Sequence, residues 1–144
     1  MKLTTKTRYS IIFLLKLAVS YESEKVESIS DIAQKENISP KFLEQIVAVL
    51  KTKGLIYAQR GAKGGYRLSR PPDQIDLRTI FEIVQGPLFE EAKEWPNPDS
   101  SAQGIVRNFT EALRSNLTDF LGSKKLEGLV RDYQKKNSAS MFYI

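Results

Sequence analysis

Between Leu55 and Ser69 the chain reads as a tight hairpin. Its tip, Gly61-Ala62-Lys63-Gly64-Gly65, holds three glycines and is flanked by Arg60 and Arg67. The glycines permit positive φ in a short loop, and Leu55 to Arg60 and Tyr66 to Ser69 have strand character. A purely structural hairpin has little need for Arg60, Lys63 and Arg67 around its tip, whereas one that tracks phosphates does. What precedes it narrows the fold further. Ser28 is a good N-cap with Asp31 three residues on, and Ile29, Ile32 and Ala33 give the following short helix one apolar face. Asn37-Ile38 breaks that helix. Ser39 caps the next, with Pro40 in its first turn, where a missing N–H does no harm.

In that second helix Leu43, Ile46, Val47 and Leu50 recur at helical spacing and point to a core, and Gly54 stops it. The opposite face carries Lys41, Glu44, Gln45, Ala48 and Lys51, a small, polar, cationic surface that suits a major groove. Two short amphipathic helices with a turn occur in many α proteins. The basic hairpin directly behind them selects a winged helix-turn-helix, so the predicted fold is mainly α with a small β-hairpin wing.

The charge distribution agrees. The 144 residues carry a formal charge of +5. Residues 1–70 hold 13 Lys and Arg against 6 Asp and Glu, a net of +7, while residues 71–144 hold 9 against 11. The basic half coincides with the helix-turn-helix, which fits a polyanionic partner. The chain has no Cys and no His. Thiolate catalysis, disulfides, Cys-held clusters and the common zinc sites are thereby excluded, as is the usual general base for a Ser or Thr nucleophile. The sequence argues against an enzyme. Ile11 to Val19 resembles a short signal-peptide core, but Lys16 interrupts it, no small-residue cleavage site follows, and it is too short to span a bilayer. The expected location is the cytoplasm.

Elsewhere, Thr5 is the expected N-cap of a helix from about Lys6 to Tyr21. That helix is apolar nearly all round, which implies burial on more than one side and hints at a subunit interface. Asp76 is expected to cap a helix over 77–84 that Gly86-Pro87 ends. Residues 88–101 read as a linker, with Trp95 an anchor to the core. A long helix over 102–121 carries the stripe Ile105, Phe109, Ala112, Leu113, Leu117, Phe120 and Leu121. Dimerisation through that stripe is the economical reading, and folding back on its own domain is the alternative. Ser123 is expected to cap a last short helix, and residues 137–144 a mobile tail. The domain division is therefore 1–87 for DNA binding, 88–101 as linker, 102–136 for dimerisation and 137–144 as tail.

Four motifs bear a resemblance: Lys2-Leu3-Thr4-Thr5-Lys6-x-Arg8-Tyr9, Phe42-Leu43-Glu44-Gln45-Ile46, Leu50-x-x-x-Gly54-Leu55 and Arg60-Gly61-x-x-Gly64-Gly65-Tyr66-x-Leu68. Together they resemble the Rrf-two family of bacterial winged-helix regulators, over residues 1–87 above all, and within it the cysteine-metabolism repressors. Thr7 departs from the family's usual glycine. The resemblance implies a homodimer that reads a pseudo-palindrome in double-stranded DNA. By position, Ser39, Pro40, Lys41, Glu44 and Gln45 would face the major groove. Arg60, Gly61, Lys63, Gly64 and Gly65 would enter the minor groove, where arginine suits the negative potential of a narrow A·T tract. Lys2, Thr5, Lys6, Arg8, Tyr9, Lys51, Tyr66 and Arg67 would hold phosphates. Glu44 would supply selection, because a carboxylate accepts from cytosine N4 and is repelled by phosphate.

Many members of that family bind an iron–sulfur cluster through three cysteines before the long helix. Residues 88–101 contain none, so the expectation here is no cofactor and no metal, with an effector of another kind. The resemblance implies a repressor of sulfur or cysteine metabolism genes. The closing Met141-Phe142-Tyr143-Ile144 resembles the peptides that plug the active site of O-acetylserine sulfhydrylase (cysteine synthase), a partner captured through a terminal carboxylate. The alternatives are that Phe142 and Tyr143 pack on the dimer, or that the protein is chiefly an adaptor acting on such an enzyme through its tail.

Overall fold

In the computed structural model, which describes residues 1–90 and 93–141, helix α1 (Thr5–Val19) is the element around which the others gather. It starts one residue earlier than expected. The N-cap is Thr4, not Thr5: Thr4 is extended, with ψ 160°, and its hydroxyl accepts from the Thr7 N–H at 3.1 Å. Phe13, Leu14, Leu17 and Ala18 are buried, and the helix packs against neighbours on several sides, all within one chain. Much of its apolar surface is therefore covered within the chain, while Ile11, Ile12, Leu15 and Val19 stay half-buried.

Helix α2 (Ile29–Glu36) and helix α3 (Pro40–Thr52) form the predicted pair. The Ser28 hydroxyl accepts from the Asp31 N–H at 3.1 Å and the Ser39 hydroxyl from Phe42 at 3.3 Å, each satisfying a helix-start donor that would otherwise lack a partner. Asn37, at φ +54°, makes the left-handed turn between them, and Ile38 is buried beneath it. Leu43, Ile46, Val47 and Leu50 face the core as predicted.

Strands β1 (Ile56–Gln59) and β2 (Gly65–Leu68) pair antiparallel, with Ile56 opposite Leu68 and Gln59 opposite Gly65. Ile56 and Leu68 are both buried, so the hairpin is rooted in the core at its base and free at its tip. A 3-10 turn (Pro72–Gln74) leads to helix α4 (Leu77–Gln85), whose cap Asp76 accepts from the Thr79 N–H at 2.7 Å. Gly86 ends that helix at φ +84°. Residues 88–90 and 93–100 have no regular structure.

Helix α5 (Ser101–Ser123) is capped by Ser100, whose hydroxyl accepts from Gln103 at 3.4 Å. At about 1.5 Å per residue it is roughly 35 Å long. Leu121 near its end is buried with Phe81 and Leu88, fastening α5 to α4. Ser123 does not cap the last helix. It is the final residue of α5, and its hydroxyl donates to the Phe120 carbonyl at 2.8 Å.

Helix α6 (Leu126–Met141) begins where Lys124 and Leu126 exchange backbone hydrogen bonds with Leu77 and Ile75, both at 2.8 Å. Leu126 is wholly buried in the main core, and Leu129 and Val130 pack on that core. The packing therefore does not divide at residue 102: α5 projects, while α6 returns to α1. Residues 137–141, expected as the start of a tail, continue α6, with the Ser140 hydroxyl donating to the Lys136 carbonyl one turn back. Phe142, Tyr143 and Ile144 lie outside the described residues. Among the described residues no helix is long and apolar enough to cross a membrane.

Candidate nucleic-acid interface

The start of α3 and the wing form two walls of an open hollow of about 450 Å³. Pro40 and Glu44 line one wall; Ala58, Gln59, Arg60, Gly61, Gly64, Gly65 and Tyr66 line the other; Ser28, Ile29 and Ser30 form the end. Glu44 is the single acidic residue among them. The amphipathic spacing of α3 explains the first wall. With Leu43, Ile46, Val47 and Leu50 turned inward, Ser39, Pro40, Lys41, Glu44, Gln45 and Lys51 are left exposed on the far side.

The second wall depends on close backbone approach. Of the three tip glycines, Gly61 takes a positive φ, +132°. The other two are needed for space, not for φ as the sequence suggested. A Cβ on Gly64 would stand 2.8 Å from the Gln59 carbonyl oxygen, and one on Gly65 would stand 2.6 Å from that of Glu27. The Glu27 contact exists because residue 27 pairs with Tyr66 across two backbone hydrogen bonds, at 2.8 and 3.2 Å. Glu27 is itself buried, and its carboxylate accepts from the Ser20 hydroxyl at 2.5 Å. The wing is thus clamped to the loop before α2. Glu27 and Ser30 were not legible as site residues, since a lone acid and a serine in a polar loop carry no periodic signal.

None of the N-terminal residues lines this hollow: Lys2 lies by Gln85, Pro87, Leu88 and Glu90, and Tyr9 touches α3. Lys2, Thr5 and Arg8 are exposed and Lys6 half-buried. Tyr9 is half-buried, its ring edge-on to Phe42 of α3 at 5.7 Å between centroids, so α1 braces the exposed helix directly. Two of the expected phosphate ligands sit otherwise. The Tyr66 ring packs edge-on to Phe13 at 6.3 Å. Arg67 lies on the opposite face of β2 and donates to the Tyr21 carbonyl at 3.3 Å. Arg60 and Lys63 are exposed at the tip.

A second surface lies on α5. Ile105, Phe109, Leu113 and Phe120 are 70, 67, 48 and 55 % exposed, with Leu117 half-buried beside them. So much apolar area on one helix face is unusual for a surface that meets only water. Trp95 does not anchor to the core. Half-buried, it joins Phe89, Arg107, Thr110, Leu113 and Arg114 around a groove on α5, and Arg114 straps the linker there by donating to the Glu90 carbonyl at 3.2 Å. The chemistry of this linker bears on metal binding. Cys and His are absent from the chain, and among the described residues no group of three or more Asp and Glu converges as a metal site.

Comparison with known proteins agrees with this geometry. The model of the Rrf2 family, described as "Iron-dependent Transcriptional regulator", matches residues 3–132. The HTH-type transcriptional regulator CymR of Bacillus subtilis is 34% identical over 145 residues, covering 100% of both chains. The HTH-type transcriptional regulator IscR of Cereibacter sphaeroides is 30% identical, covering 92% of this chain and 88% of its own. The solved structure of CymR, described as the global cysteine regulator of B. subtilis, superposes with a TM-score of 0.80 at 33% identity, covering 91% of this chain and 97% of that one. Neither thiolate nor imidazole is present in this chain, so its side chains do not fit a cluster held by Cys or His.

Proposed function

This chain belongs to the Rrf2 family of transcriptional regulators, and on that premise we propose that it is a homodimeric repressor of sulfur or cysteine metabolism genes that works without an iron–sulfur cluster. The observation that carries the DNA-binding half of this reading is the hollow between α3 and the wing. A cationic hairpin with an exposed tip, beside a polar helix face on the same hollow, offers a duplex a helix for its major groove and an arginine for a neighbouring minor groove. Ser39, Pro40, Lys41, Glu44 and Gln45 take the major groove, and Arg60, Gly61, Lys63, Gly64 and Gly65 the minor groove. Lys2, Thr5, Lys6, Arg8, Tyr9 and Lys51 take phosphates. Tyr66 and Arg67 remain assigned there, Tyr66 through its hydroxyl and Arg67 through the part of its guanidinium not spent on Tyr21.

Support for the homodimer comes from the exposed stripe Ile105, Phe109, Leu113, Leu117 and Phe120, which a second copy of α5 would cover in a self-complementary contact. The sulfur assignment is supported by likeness to a cysteine regulator over the whole chain. With no cysteine of its own, the protein takes its signal from a partner or ligand. O-acetylserine sulfhydrylase docking at Met141, Phe142, Tyr143 and Ile144 is the partner we propose, and its capture by the full chain but not by one ending at Ser140 is the expected result. Salt dependence separates DNA reading from a purely adaptor role. Affinity for duplex DNA should fall with a log–log slope of about −0.9 per phosphate contact, whereas an adaptor would bind no duplex at any salt.

A further inference from the structure

Lys16 interrupts the apolar run of α1 yet does not border the hollow. Its ammonium lies 3.0 Å from Glu36 Oε1, donates to the Tyr133 hydroxyl at 3.3 Å and stands 5.3 Å from the centroid of that ring. The Lys16 and Glu36 side chains are 17 and 30 % exposed. Glu36 is the last residue of α2, and Asn37 beside it makes the turn into α3. Tyr133 belongs to α6. One lysine therefore ties the hinge of the helix-turn-helix to the last helix, through α1.

The electrostatics match the geometry. Burial pulls the Lys16 ammonium down, but its hydrogen bonds to Glu36 and Tyr133 outweigh that and hold it above the ordinary lysine value. Hydrogen bonding with Asn137, then with Lys16, lowers the Tyr133 phenol. A part-buried ion pair gains little net stability, because desolvation offsets much of the attraction. What a lysine adds is a fixed geometry among three helices.

We propose that Lys16 is a positioning residue through which α6 sets the seat of α2 and α3, so that displacing α6 changes DNA affinity. This rests on the reading of α3 as the DNA-contacting helix. It makes α6, and any partner that engages it, a regulatory element. Coupling of this kind is reciprocal: if α6 position alters DNA affinity, then bound DNA must steady α6.

Amide hydrogen exchange of the full-length protein, with and without a duplex it binds, tests this. In wild type the duplex should slow exchange across residues 129–141. Lys16→Met should lose that response and weaken DNA binding about fivefold. Tyr133→Phe, which keeps the ring and the Lys16–Glu36 pair, should lose the α6 response in the same way. A purely structural lysine would leave that response in place. Equal responses in all three proteins, or none in wild type with duplex bound, would overturn the proposal. Failure of wild type to bind any duplex would overturn the DNA reading along with it, and would show before any substitution is made.

Discussion

Gly65 and Glu27 are in backbone contact: two hydrogen bonds join residue 27 to the neighbouring Tyr66, and a Cβ on Gly65 would stand 2.6 Å from the Glu27 carbonyl oxygen. The obstructing atom is main chain held in a strand bridge, so it cannot rotate away. Gly65→Ala should force the wing off the α1–α2 loop. Overpacking of this kind costs about 1–3 kcal/mol, which chemical denaturation would read, and DNA affinity should fall more than stability alone explains.

Reading and positioning should separate by substitution. Arg60→Ala at the wing tip should weaken binding mostly at sites with an A·T-rich flank. Lys6→Ala should weaken all sites alike and flatten the salt slope by about one unit. Titrations of two duplexes differing only in the flank, at several salt concentrations, check both. Identical behaviour of the two variants would contradict the division.

On α5 the exposed stripe should carry association and little else. Phe109→Glu should yield a folded monomer, because Phe109 is 67 % exposed within one chain. Leu126→Ala should instead lower stability by about 2–5 kcal/mol, the usual cost of emptying a buried leucine site. Sedimentation and thermal unfolding of both variants distinguish the roles.

The caps offer a local check. Asp76→Ala removes the acceptor for the Thr79 N–H and should cost about 1 kcal/mol. Asp76 also pairs in a bridge with Lys125, where the bonds are backbone, so the α4–α6 seam should persist in the variant.

Why some of this was legible in the sequence and some was not follows from range. Ser28, Ser39 and Asp76 announce helix starts because the acceptor and its donor lie three residues apart. The inward set on α3 and the basic hairpin are equally local patterns. Ser123 misled because the start of α6 is fixed by pairing with residues 75–77, about fifty residues away, and no capping rule encodes that. The near-uniform apolarity of α1 showed deep burial but not by what; within the chain α3, α4 and α6 pack on it, from positions distant in sequence. Glu27 beside the wing and Lys16 beneath the hinge were invisible for the same reason. Their partners, Tyr66, Glu36 and Tyr133, are distant in sequence, and a polar residue in a loop or an apolar run gives no hint of them.

Selection of random duplex DNA by the purified protein at near-physiological salt shows whether this chain reads sequence as a dimer. A dimeric reader should enrich a two-fold-symmetric site with each half contacted by one protomer. Enrichment of nothing, or of a single asymmetric half-site, would contradict that reading.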